Sequence, residues 1–234
     1  MGPETVHPPV WLNVTAAIIV FGIIGAIAYF IHQHRKKGIR KVADEFGLIY
    51  EEEGLTGISL PENCLIRSIF SFWGEPEVGR GLEGKLNGRD VYLFEVNWMQ
   101  ETLTHRGGYG YPLNVVALKI SDLKVPNFVL RPERLRQKFT TIIGGQDIDF
   151  DHAPKFSRLY RLQGEDEAAI RAFFLPEIHE FFEQHPRRMV EGIEGFLFYF
   201  APPRLIRLIG FRPKLLRKLL TEALEFIALI SLSR

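Results

Sequence analysis

The chain has 234 residues, with 29 Lys/Arg against 28 Asp/Glu, and a single cysteine, Cys64. One thiol excludes an internal disulfide and suits a reducing compartment. A net charge of +1 and an acidic middle exclude the basic main-domain face that nucleic acid requires.

Residues Val10 to Ile31 read VWLNVTAAIIVFGIIGAIAYFI, and no Asp, Glu, Lys or Arg occurs between Glu4 and Arg35. About 20 apolar residues rising roughly 1.5 Å each cross a hydrocarbon core. The expectation is a transmembrane helix over residues 10–34, after a short extracytoplasmic tail at 1–9. Ala26-Ile27-Ala28 has the small-x-small form that signal peptidase reads, but no basic residue precedes the run. A buried helix of a soluble protein rarely extends so far without a charge. The basic cluster Arg35, Lys36, Lys37, Arg40 and Lys41 follows the run. By the positive-inside tendency it puts the N-terminus outside and the remaining mass on the cytoplasmic side of a bacterial inner membrane. The expected topology is single-pass.

Within the span, Gly22 and Ala26 share a helix face with Gly25 beside it. Small residues so spaced admit a second transmembrane helix, although Gly and Ala are also common in spans generally. Trp11 and Tyr29 sit near the ends, where amphipathic rings favour the headgroup level. No ionisable group lies at mid-span, which argues against a proton or ion path. His32 and His34 fall at the inner surface, where facing headgroups is the simpler role than holding a pigment or haem.

Residues 35–47 continue as a basic juxtamembrane helix, with Ile39, Val42, Ala43 and Phe46 at helical spacing, a bend near Gly38 and a stop at Gly47. A cytoplasmic domain over 48–202 follows. LIRSIFSFW at 65–73 reads as either a strand or a short helix. Arg80–Leu86 and Asp90–Met99 flank Asn87-Gly88 and form a hairpin, with the Tyr92, Phe94, Val96 and Trp98 side turned to a core. Glu101–Pro112 reads as a mobile loop, and strands follow at Leu113–Ile120 and Asn127–Leu130. Short connections between successive strands favour antiparallel pairing. Pro132-Glu133 is read as opening a short helix. DIDFD at 147–151 and LYRLQ at 159–163 read as strands.

Glu165–His185 is helical, with an apolar stripe from Ile170 to Phe182 and a kink or break at Pro176. A small hairpin, Arg188–Val190 with Gly195–Tyr199, precedes a basic amphipathic C-terminal helix within 203–234. That helix has Leu216, Leu220, Ala223, Ile227 and Ile230 on one side and Lys214, Lys218, Thr221 and Glu225 opposite. With Arg204, Arg207, Arg212 and Arg217 it either lies on the inner leaflet or packs on its own domain. Residues 1–41 carry +4 and 203–234 carry +5, leaving −8 on 42–202. Basic ends and an acidic body place both termini near anionic headgroups.

The candidate chemistry is sparse. Gly79-Arg80-Gly81-Leu82-Glu83-Gly84 matches GxGxxG but runs into a hairpin instead of a helix, so sheet-edge glycines account for it better than a dinucleotide site. Asp147, Asp149 and Asp151 alternate beside His152 and form a candidate divalent-metal row. The calcium-loop Gly and Glu are absent, because His152 and Arg158 stand in their places. Ser71 and Ser157 lack a nucleophile-elbow context, and Cys64 has no base nearby in sequence. No cofactor is expected, and catalysis is not the favoured reading.

PNFVLRPE at 126–133, DIDFD, and FSRLYRLQGEDEAAIRAFF at 156–174 together resemble a family of bacterial proteins. In that family an N-terminal membrane segment precedes one cytoplasmic α+β domain. The resemblance implies no activity and no catalytic residue. The expected fold is α+β: one transmembrane helix, a mainly antiparallel sheet with packed helices, and a C-terminal amphipathic helix. The expected role is a membrane-anchored, non-catalytic accessory or interaction subunit of a larger membrane assembly. Its partners would be other membrane subunits and anionic lipid headgroups. A membrane-surface sensor binding lipid or a small ligand is the alternative, with a metal-dependent enzyme behind it.

Overall fold

Twelve-residue strands on either side of Asn87-Gly88 begin the sheet on which the molecule is built. The computed structural model describes residues 10–55, 75–100, 108–109, 113–121, 123–133, 147–201 and 211–232. The 65–73 stretch, Cys64, Ser71, Arg204 and Arg207 lie outside these residues, as does the side chain of Trp11.

The first helix, α1, runs unbroken from Val10 to Phe46, through Gly38, where a bend was expected. The strands are β1 (Ile49–Glu51), β2 (Glu75–Leu86), β3 (Arg89–Gln100), β4 (Gly108–Tyr109), β5 (Leu113–Lys119) and β6 (Phe128–Pro132). Helix α2 (Pro154–Leu159) leads into β7 (Tyr160–Gly164). Helices α3 (Glu167–Phe173) and α4 (Pro176–Gln184), strands β8 (Met189–Ile193) and β9 (Phe196–Phe200), and helix α5 (Pro213–Leu232) complete the order.

The strand order is β1-β2-β3-β5-β9-β8-β6-β7, with β4 paired to β3, and each of these pairings is antiparallel. The hairpin β8–β9, although late in the chain, is inserted between β5 and β6. It joins two earlier strand groups into one sheet. Its turn, Glu194-Gly195, has positive φ at both central residues, as does Asn87-Gly88. Primed turns need that geometry to follow the strand twist.

Several local expectations are corrected. Asp147–Asp151 is extended or turn, not strand, with Ile148 and Phe150 buried between exposed aspartates. Pro132 is the last residue of β6 and Glu133 begins a 3-10 turn; the rest of the short helix expected there lies outside the described residues. Gly108-Tyr109, expected in a mobile loop, pairs with Met99 and Gln100. Strand β3 buries both sides from Val91 to Val96, not only its aromatic side. Pro176 does divide the helical stretch, starting α4 in its first turn after α3 ends at Phe173. The GxGxxG glycines lie inside β2, which is not an edge. A Cβ at Gly81 would come within 2.8 Å of Leu55, and one at Gly84 within 2.9 Å of Leu48. They let the 47–55 segment lie against the strand.

Two cores result. One sheet face carries Leu93, Val116, Leu130, Leu162, Leu197 and Tyr199 against the helices, and the other carries Phe94, Val115, Val129, Met189 and Phe198. Burial on both sides explains why β9 reads FLFYF with no polar alternation. The end of α1 joins the helix-side core through Ile39, Val42 and Ala43. A Schellman motif then stops α1. Gly47 has φ +65°, Leu48 N–H donates to the Ala43 carbonyl at 2.8 Å, and Gly47 N–H donates to the Asp44 carbonyl at 3.2 Å.

Helix α5 packs on the domain through Leu216, Leu220, Ala223, Phe226 and Ile230. Of the two readings weighed for it, the packed one holds for its apolar face. Arg188 fixes its register, donating from Nε and Nη2 to the two Glu222 oxygens at 2.6 and 3.0 Å. Tyr199 Oη donates to the same carboxylate at 3.2 Å, and burial pushes that hydroxyl far up, so it remains a neutral donor. Breaking one partner of such a buried pair strands the other charge. Arg188→Met is expected to lower stability by about 3 kcal/mol, a fall of roughly 6–12 °C in Tm. Arg188→Met/Glu222→Leu should recover most of that loss in a thermal melt of the detergent-solubilised chain. A double variant no more stable than the single one would show that the pair does not act as a unit.

Candidate membrane-proximal site

The apolar part of α1 is the one described helix long and apolar enough to cross a membrane, and none of it is buried among the described residues. Ile18, Phe21, Ile24 and Phe30 are all more than half exposed. No atom lies within 4 Å of where a Cβ would stand at Gly22 or Gly25, and Ala26 is likewise exposed, so the small-residue face is open. Tyr29 is exposed and meets Phe30 edge-on at 6.1 Å.

Below this run α1 meets α5. A Cβ on Gly38 would stand 2.6 Å from Pro213 Cγ, so glycine here permits the closest approach of the two helices. Two turns further along α1, Arg217 forms a forked contact with Glu45, Nη2 and Nε lying 2.7 and 2.9 Å from Oε2. That guanidinium holds the Glu45 carboxyl below the usual range. Lys36 bonds Glu52 in the segment after β1 and lowers that carboxyl in turn, with His32 4.0 Å from the same group. Of the expected basic cluster, Lys36 is thus engaged with the domain, while Lys37, Arg40 and Lys41 are exposed and Arg35 is partly so.

Between the helices lies a groove of ≈ 630 Å³, lined by Phe30, Ile31, His34, Arg35, Gly38, Arg212, Pro213 and Lys214. It has an apolar wall at the end of the apolar run and a cationic rim drawn from two distant parts of the chain. The juxtaposition of Arg212 and Lys214 with His34 and Arg35 was missed in the sequence. Only the shared basic character of the two ends hinted at it.

The aspartate row does not converge on a metal. Asp147 lies 3.2 Å from Arg161 Nε and accepts the Leu162 amide at 3.2 Å. Burial raises its carboxyl, with Arg161 opposing. The Asp149 carbonyl accepts from Arg171 at 2.8 Å. Among the described residues no three His, Cys, Asp or Glu side chains group as metal ligands. Ser157 accepts the Phe150 amide at 2.9 Å, a structural use.

Beside the row, His179 is buried, with ring centroids of Phe150 at 4.3 Å and Phe156 at 4.6 Å, and neither ring nitrogen makes a hydrogen bond. Burial pushes its imidazole down from 6.5 to about 4, His152 adding to the effect and Glu183 and Glu177 opposing it. Between those values the unfolded chain takes up a proton that the folded chain refuses. Stability is therefore full above pH 6.5 and falls as the pH drops toward 4. Each pH unit across that window is worth about 1.4 kcal/mol at most. The loss should appear as a falling Tm, and His179→Phe, which keeps the aromatic packing, should flatten the slope.

No family model and no curated protein matches the chain. Among solved structures, it is similar in fold to the crystal structure of the mycobacterial trehalose monomycolate transport factor A, TtfA. The two share 17% sequence identity with a TM-score of 0.52, over 85% of this chain and 93% of that one.

Proposed function

We propose that the protein is a membrane-anchored, non-catalytic accessory subunit of a membrane transport assembly. The observation that carries this reading is an exposed, membrane-length apolar helix on a domain with the fold of a protein named as a transport factor. The open face at Gly22, Gly25 and Ala26 supports docking of a second transmembrane helix. The basic turn from Arg35 to Lys41 supports an orientation with the N-terminus outside and the domain in the cytoplasm of a bacterial cell. Tyr29 and Trp11 would sit at the two interfaces, and Arg204 and Arg207 would add to the inner basic surface. Nothing in this reading requires a cofactor or nucleic acid.

Purification of the full chain from native membranes in mild detergent, with mass spectrometry of the complex, tests the reading. A second membrane protein present in fixed stoichiometry is expected, and it should be lost in Gly22→Ile/Ala26→Ile. Migration of the chain alone in every mild detergent would overturn the proposal.

A further inference from the structure

We infer that the groove between α1 and α5 holds one anionic phospholipid from the leaflet that meets the basic end of α1. Its phosphate would lie against Arg35, Arg212 and Lys214, and its acyl chain along Phe30 and Ile31. This rests on the reading that α1 lies in the membrane and adds a specific ligand to it.

Three observations converge on such an occupant. The volume, ≈ 630 Å³, lies within the roughly 300–1,000 Å³ of sites that bury small ligands. The apolar wall is the last part of the span itself, since Phe30 is 71% and Ile31 56% exposed. A chain lying there stays continuous with the hydrocarbon. Among the described residues the rim carries two arginines, a lysine and a histidine but no carboxylate. Of the described acids nearby, Glu45 pairs with Arg217 and Glu52 with Lys36. A cationic rim above an apolar wall matches an anionic amphiphile from end to end. A zwitterionic headgroup would set its own ammonium among the rim cations. Arginine forks suit phosphate oxygens in particular.

The geometry is also fixed in advance. The contact of Gly38 with Pro213 and the forked Arg217–Glu45 contact hold the two walls at a set separation. The site does not have to be assembled by its ligand, which reduces the ordering cost of binding.

The test uses the full chain reconstituted into nanodiscs with equal parts of phosphatidylglycerol and phosphatidylcholine of identical acyl chains. The protein is released into mild detergent and its retained lipid counted by native mass spectrometry. One retained phosphatidylglycerol is expected, favoured over phosphatidylcholine. Arg212→Gln/Lys214→Gln, with unchanged Tm, should weaken that preference roughly tenfold, the effect of about one charged contact. Lys155→Gln, outside the groove, should leave it intact. Short-chain phosphatidylglycerol should displace the lipid where glycerol phosphate does not. Equal retention of the two lipids, or full selectivity in the double variant, would overturn the inference. So would equal displacement by glycerol phosphate, which would assign the rim to soluble phosphate esters. Recovery of no lipid from a chain that co-purifies with a partner helix would assign the groove to protein. Incorporation into the nanodisc reports the anchor whatever the lipid, so failure of the groove and failure of the anchor give different results.

Discussion

The structure depends on placing one late hairpin in the middle of the sheet. Strands β8 and β9 close a gap between β5 and β6, and every residue of both strands is buried. Until they arrive, β1-β2-β3-β5 and β6-β7 are separate groups with unpaired inner edges, a state that backbone polar groups and apolar faces both disfavour. Once in place, Phe196, Phe198 and Phe200 complete one core, while Leu197 and Tyr199 complete the other. Each fully buried aromatic of this kind contributes on the order of 2 kcal/mol. The cost is contact between residues far apart in sequence, since Val115 pairs with Phe200. Such a topology folds slowly compared with a helical bundle.

Helix α5 transmits that arrangement to the apolar helix. Its apolar stripe lies on the central strands, and Glu222 receives Arg188 from the start of β8 and Tyr199 from β9. The helix is therefore registered on the hairpin. Its first turn in turn meets α1 at Gly38, and its second turn meets Glu45 through Arg217. A chain of packed contacts thus runs from the centre of the sheet to the end of the apolar helix. The basic groove is a by-product of that registration, because its two walls belong to α1 and α5.

The buried imidazole of His179 shows that polarity inside a core need not mean chemistry. It sits among phenylalanines without a hydrogen bond, held neutral by burial. The aspartates at 147–151 likewise resolve into an ion pair, a backbone contact and solvent exposure. Among the described residues, Arg35, Arg212 and Lys214 come together instead where the domain meets α1.

Much of this was legible in sequence because its causes are local. Helix α1, its stop at Gly47, the Asn87-Gly88 turn, the split at Pro176 and the stripe of α5 follow from hydropathy, φ preference and side-chain period, which act within a few residues. The antiparallel α+β class followed from the sum of those elements. Strand order, burial on both faces of β3 and β9, and the meeting of Arg35 with Arg212 were decided only by tertiary structure. They depend on partners 80 to 180 residues away, roughly, and loop-closure entropy changes too slowly with separation to encode which partner is chosen. The aspartate run shows the same limit from the other side. Alternation of Ile148 and Phe150 with Asp147 and Asp149 is a strand pattern, but ladder hydrogen bonds need a neighbouring edge, and among the described residues Ile148 N–H makes one backbone bond to β7, donating to the Leu162 carbonyl. Local pattern set which side chains point inward; the availability of a partner edge decided what counted as sheet.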